Sequence, residues 1–191
     1  MSDITPAMEF LLSRRSRPAK LLGPPAPDRT ALRPILTAAA RSPDHGKLEP
    51  WRFIVLERAA CRRLGDLVAE RGAALDRPEE DIAKARSAYD DSPLAVVVVE
   101  SPKPSEKIPQ IEQTYSTGAV CLSLLNAALA SGWGANWLTG WPVSDRTFVE
   151  EGLGLAPHER VAGVIHIGTS TKTPPDRPRP DIDAITTWVA E

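Results

Sequence analysis

The chain has 191 residues, 42% of them hydrophobic and 25% charged, with a formal net charge of −2, the mixture of a soluble globular domain. A domain of this size buries roughly 70% of the surface its unfolded chain exposes, so a core forms without disulfides or a metal, and collagen-like, disordered and mini-protein organisations are excluded. The near-neutral balance also speaks against a surface built to attract nucleic acid.

Thr5-Pro6 has the chemistry of an N-cap and first helical residue, and Met8, Leu11 and Leu12 make a helical stripe ending in Arg14-Arg15. After the proline-rich turn at Gly23 to Pro27, Asp28 can cap a second helix whose Leu32, Ile35, Leu36, Ala39 and Ala40 share a face, stopping near Arg41-Ser42-Pro43. Arg52 to Glu57 is rich in β-formers and reads as a strand, followed by helical spacing from Arg58 to Ala74. Pro78 and the acidic Glu79-Glu80-Asp81 open a short helix that runs to about Tyr89.

Leu94 to Glu100, with its continuous Val96 to Val99 run, predicts a strand buried on both faces. Ile111 to Ser131 is almost uncharged and predicts a long helix buried all round, closed by Gly132. Ala135 to Thr139 reads as a strand, Ser144 as the cap of a helix through Glu151, and Val161 to Ile167 as the last clear strand. Beyond a proline-rich basic stretch, Ile182 to Val189 fits either a strand or a loose helical turn. Helices and strands interleave without a regular βαβ period, which predicts an α+β, three-layer α/β/α sandwich with a mixed central sheet, residues 1–191 forming one domain. No dinucleotide-type or phosphate-loop glycine motif follows a strand.

The apolar stretches Leu94 to Val99 and Gly118 to Leu125 fall short of the ~20 residues that span a bilayer. The acidic opening residues lack the layout of a secretory leader, so the chain is expected in the cytoplasm. Cys61 and Cys121 lie on separate helical segments and read as buried free thiols, and His45, His158 and His166 have no metal-ligand spacing.

Four segments can carry chemistry. Arg14-Arg15-Ser16-Arg17 offers forked guanidinium donors beside a hydroxyl, suited to phosphate oxygens, or else a solvated basic helix end. Arg41 to Trp51 projects arginine, histidine and lysine from a loop braced by Pro43 and Pro50. Gly132 to Trp141 holds three tryptophans between glycines, a surface for stacking a planar ring or for packing. Gly163 to Thr169 opens into a tail carrying Lys172, Arg177 and Arg179, cations within reach of a phosphate or simply solvated.

Taken in order, these segments resemble the FMN-dependent nitroreductase family, in particular its small bacterial NAD(P)H nitroreductase branch. The matching pieces are Arg14 to Ser16, the R-S-P-D-H…P-W stretch from Arg41 to Trp51, the long apolar helix, G-x-x-W-x-x-G from Gly134 to Gly140, and G-V-I-H-I-G-T from Gly163 to Thr169. The resemblance implies the nitroreductase-like fold and a homodimer with FMN bound at the subunit interface. It implies that Arg14, Arg15 and Ser16 hold the phosphate and ribityl chain, that Arg41 and His45 come from the other subunit, and that Trp137, Leu138 and Thr139 line the isoalloxazine. Residues Ala127 to Gly132 match the stretch assigned to NAD(P)H.

The implied activity passes electrons from NAD(P)H to nitroaromatics, quinones or similar acceptors in a ping-pong cycle, with no amino acid named as acid or base because the flavin carries the chemistry. The alternative is a flavin-binding dimer with a different reductive reaction, or without NAD(P)H turnover. It is motivated by Pro18, which stands where many relatives place lysine, by Lys47-Leu48-Glu49 before Pro50-Trp51 where larger relatives read N-x-Q, and by Leu138 where the small branch can carry arginine.

Overall fold

The valine run lies in a strand whose seven residues, Leu94–Glu100, are all buried, and the rest of the molecule is arranged around it. The computed structural model describes residues 5–170 and 172–190. In chain order the regular elements are α1 (Pro6–Ser13), α2 (Arg29–Ala39), β1 (Trp51–Glu57), α3 (Arg58–Ala74), α4 (Glu79–Asp90), β2 (Leu94–Glu100), α5 (Gln110–Ala130), β3 (Gly134–Leu138), α6 (Trp141–Ser144) and β4 (Arg160–Gly168), with a π-helical turn at Phe148–Gly152. Local chemistry sets the first helices: Thr5 caps α1 and Asp28 caps α2, its Oδ1 accepting from Ala31 N at 2.8 Å.

The strands form one sheet in the order β1-β2-β4-β3. Successive residues of β2 point to opposite faces. Leu94, Val96 and Val98 join Ile165 and Ile167 under α2 and α5, while Ala95, Val97 and Val99 join Val164 under α3 and the Phe148–Gly152 turn. Helices therefore cover both faces, as the three-layer reading requires.

The expected mixed sheet is not what forms, because every pairing is antiparallel. From the pairing directions, β2 and β3 run the same way and are joined through α5, the arrangement that suggests a parallel unit. β4 inserts between them, so no two parallel strands are neighbours. Between β1 and β2 the chain makes two helices, α3 and α4, instead of one. With that even number of helices between them, the two strands pair antiparallel.

Two other expectations need correction. The helix predicted from Ser144 is broken there: α6 ends at Ser144, and Asp145 Oδ2 accepts from Phe148 N at 3.3 Å and starts the next helical turn. Asp145 displaces Ser144 as the cap because its carboxylate is also held by Arg71, whose Nε lies 2.7 Å away. The long helix α5 is not buried all round, since Ile111, Tyr115 and Leu122 are 52%, 69% and 46% exposed on one side. Of the two readings of Ile182 to Val189, the turn is the one that forms, at residues 182–185, and Ile182, Ile185, Trp188 and Val189 are exposed.

Candidate functional site

Where α1 ends, Arg14 leaves the helix into extended backbone, and the following residues run beside the sheet edge, with Arg17 N donating to Ala135 O at 2.8 Å. This stitch to β3 holds several guanidiniums against one wall. Arg14 Nη2 donates to Ser16 Oγ at 3.1 Å. Arg14 Nε and Arg17 Nη1 are buried and have no hydrogen-bond partner among the described residues.

Arg15 Nη1 and Arg179 Nη2 each donate to Asp176 Oδ1 at 2.9 Å, so the proline-rich tail folds back onto the cluster. The bond from Arg15 holds the Asp176 carboxyl below its usual range. Burial, and then the neighbouring charges of Arg179 and Arg15, lower the Arg14 pKa. A buried donor left unmade costs about 1–3 kcal/mol, and one carboxylate does not saturate this many cations, so the donor set suits a ligand with several anionic acceptors. The cluster faces a cavity of about 330 Å³ whose walls include Arg14, Arg15, Arg17, Trp133, Gly134 and Ser170. Leu129 and Gly132, from the stretch that the resemblance assigns to NAD(P)H, line it as well.

Gly134 is required for this wall to close. A Cβ there would meet the Leu22 side chain, Ser170 Cβ and the Gly168 carbonyl at 2.7, 2.9 and 3.1 Å. Further along β3, Trp137 packs on the α5 side of the sheet over Gly163, where any side chain would collide with the indole. Leu138 and Thr139 instead line a second cavity that also touches α4, so the three residues predicted to surround a flat ring do not share one face.

Arg41 and His45 lie elsewhere in the chain. Both are exposed. Ser42 Oγ donates to Ser123 Oγ at 3.1 Å, and Ser116 Oγ donates to Pro43 O at 2.5 Å, which lays the loop along α5 from its middle toward its N-terminus. His45 Nδ1 is 2.6 Å from Glu112 Oε2 in the first turn of that helix. At 1.5 Å per residue, Glu112 and Leu129 are roughly 25 Å apart along the helix axis. A single chain therefore assembles Arg14, Arg15 and Ser16 into one site and leaves His45 at the other end of α5.

The sequence reading missed Asp176, which orients Arg15, and the buried Nη1 of Arg17; the alternation of basic residues and prolines in the tail was the available hint. It also missed Tyr89, and that Trp141 and His166, from two segments it had singled out separately, meet around the second cavity. Among the described residues no helix is long and apolar enough to cross a membrane, and no group of three or more His, Cys, Asp or Glu side chains could hold a metal ion.

A family model described as "Nitroreductase family" matches residues 11–169. YdjA of Escherichia coli (strain K12), provisionally named an NAD(P)H nitroreductase, is 33% identical over 163 residues, covering 85% of this chain and 87% of that protein. A Haemophilus influenzae protein with the same provisional name is 35% identical over 164 residues, covering 85% and 88%. Among solved structures, a nitroreductase-like family protein from Bacillus cereus superposes with a TM-score of 0.82 at 23% identity over 100% of both chains. NfnB, an FMN- and NADPH-dependent nitroreductase from Sphigopyxis sp. strain HMH, superposes with a TM-score of 0.73 at 19% identity, covering 97% of this chain and 99% of that one.

Proposed function

Because the chain belongs to the nitroreductase family, we propose that it is an FMN-dependent oxidoreductase passing electrons from NAD(P)H to nitroaromatics, quinones or similar acceptors, which enter the same site in turn. The observation that carries the cofactor assignment is the pair of buried, unpartnered guanidinium nitrogens, Arg14 Nε and Arg17 Nη1, beside a cavity edged by Arg15. Arg14, Arg15 and Ser16 would hold the phosphate and ribityl chain, and the donor set fits that group because it offers several N–H bonds and a hydroxyl to a polyanion. When bound, the flavin supplies the hydride and electron transfer.

The protein's part is to bind and orient. Asp176 fixes the Arg15 fork, and the Arg17 N–H bond to Ala135 O holds the arginine strip at a set distance from β3. Trp137 would line the ring from the α5 side of that strand, while Leu138 and Thr139, whose side chains turn to the second cavity, would meet it only through their backbone. Arg41 and His45 would reach the ring from a second copy. Support for the homodimer is the apolar side of α5, where Ile111, Tyr115 and Leu122 are exposed, together with Met8, Leu11 and Leu12 of α1. Two antiparallel α5 helices would set the partner subunit's His45 against the arginine end of the first chain, placing two FMN sites at the interface. Cys61 and Cys121, both buried free thiols, suit the reducing cytoplasm.

An absorbance spectrum of the purified protein tests the assignment. Flavin bands, or their uptake on adding FMN, and bleaching by NADH or NADPH without oxygen are the expected results; no flavin bands and no uptake would overturn it. A second reading, a flavin-binding dimer with another reductive reaction or no NAD(P)H turnover, is favoured by Pro18, which starts the Ala19–Leu21 turn and brings no cation to the ring. It requires bound FMN that neither nicotinamide bleaches.

A further inference from the structure

The second cavity, about 350 Å³, lies on the α3/α4 side of the sheet, with Tyr89, Leu138, Trp141, Val143, Val164 and His166 in its wall. His166 is 1% exposed and Tyr89 5%. Ser92 Oγ donates to Leu94 O at 2.9 Å, so its proton is committed and it accepts from His166 Nδ1, also at 2.9 Å. The imidazole is therefore the Nδ1–H tautomer, with a bare lone pair on Nε2. Burial lowers its pKa to about 4, which keeps it neutral. Nε2 has no partner among the described residues, and neither has the Tyr89 hydroxyl, although the two rings meet edge-on with centroids 6.0 Å apart. The wall of this cavity thus holds an acceptor, a hydroxyl that can donate, and a further donor in Trp141 Nε1, which is buried and has no partner among the described residues.

We propose that this cavity is a binding site for a small neutral hydroxyaromatic, a phenol, whose hydroxyl donates to His166 Nε2 and accepts from Tyr89. An apolar cavity of about 150 Å³ already admits benzene, so this one has room for a substituted ring. Leu138, Val143, Val164 and the faces of Tyr89 and Trp141 supply the apolar contact. A carboxylate could accept from Trp141 Nε1 or Tyr89, but it is disfavoured because its charge would lose its water shell in the cavity while Nε2 stayed without a proton. The site opens past Asp81 and Lys84 of α4 and is separate from the arginine cavity, with which it shares no residue. It goes beyond the proposed reaction and does not depend on it. Leu138 and Thr139 belong both to this wall and to the segment proposed to line the flavin, so an occupant here would touch the back of that segment.

Calorimetry on the full-length protein as purified, with phenol, anisole and benzoate, tests the assignment. Phenol should bind saturably at one per chain, and anisole and benzoate about tenfold more weakly, because neither gives Nε2 a proton. Ala88→Phe, which fills the cavity from α4, should abolish phenol binding and leave the flavin spectrum unchanged. A readout that needs no variant is 15N-histidine NMR, in which phenol should move the Nε2 resonance of His166 and leave those of His45 and His158 in place. Equal affinity for phenol and anisole, phenol binding that survives Ala88→Phe, an unmoved His166 signal, or no saturable phenol binding would each overturn the proposal.

Discussion

Arg14 carries the clearest single-residue consequence. Its guanidinium is half-buried among other arginines, with burial the main reason its pKa is lowered, and Nε has no internal acceptor among the described residues. If Arg14 holds the phosphate as proposed, Arg14→Ala removes a charge-assisted contact of about 1.5–3 kcal/mol, and titration with FMN should show affinity falling by at least about tenfold; unchanged affinity would mean that this helix end is only solvated. A second prediction concerns Glu159, 6% exposed, whose oxygens accept from Arg52 Nε and Nη2, both at 2.7 Å. The Arg52 bond lowers its pKa to about 2. The folded value lies below the unfolded one of about 4.3, so the pair's stabilisation is complete above the unfolded value and is lost as pH falls through the folded one. Glu159→Gln should cost about 1–2 kcal/mol at neutral pH, reduced because Arg52 is partly solvated. In urea unfolding the gap from wild type should close at low pH, and a gap constant with pH would contradict the assigned pair.

Among the elements, the connection from β3 to β4 departs most from its sequence pattern. Ser144 has the right residue type for a cap, yet Asp145 takes the role because Arg71, from α3, meets its carboxylate at 2.7 Å, a long-range contact that local spacing does not encode. Asp145→Ala should cost about 1–2 kcal/mol through loss of the cap, while Ser144→Ala should be nearly neutral; thermal melts of the two variants compare them directly. The caps at Thr5 and Asp28 and the ends of α3 and β2 were legible because each depends on residues within one turn or one strand of itself. The burial of α5 was not legible. Its composition shows how apolar the helix is, but which side the same chain covers depends on where α2 and the sheet lie.

At the scale of the whole molecule, the proposed working unit of two chains would account both for the exposed side of α5 and for the distance between His45 and the arginine cluster. Leu122→Glu, at the 46% exposed position midway along that side, should convert a sedimenting dimer into a monomer and lower FMN occupancy with it. A monomeric wild type with full flavin occupancy would overturn the shared-site model. If the dimer forms, wild-type thermal stability should rise with protein concentration by mass action, and that of the variant should not.

The sequence by itself determined the α+β class, the order and bounds of nearly every element, the buried central strand and the basic helix end. These follow from period, capping and composition, which act over a few residues. The tertiary structure alone decided that β4 separates β2 from β3 and makes the sheet antiparallel. It alone brought Asp176 to Arg15, 161 positions away, and enclosed His166 in a cavity. Each of these depends on contacts between segments far apart in the chain, whose geometry is set only when the layers pack.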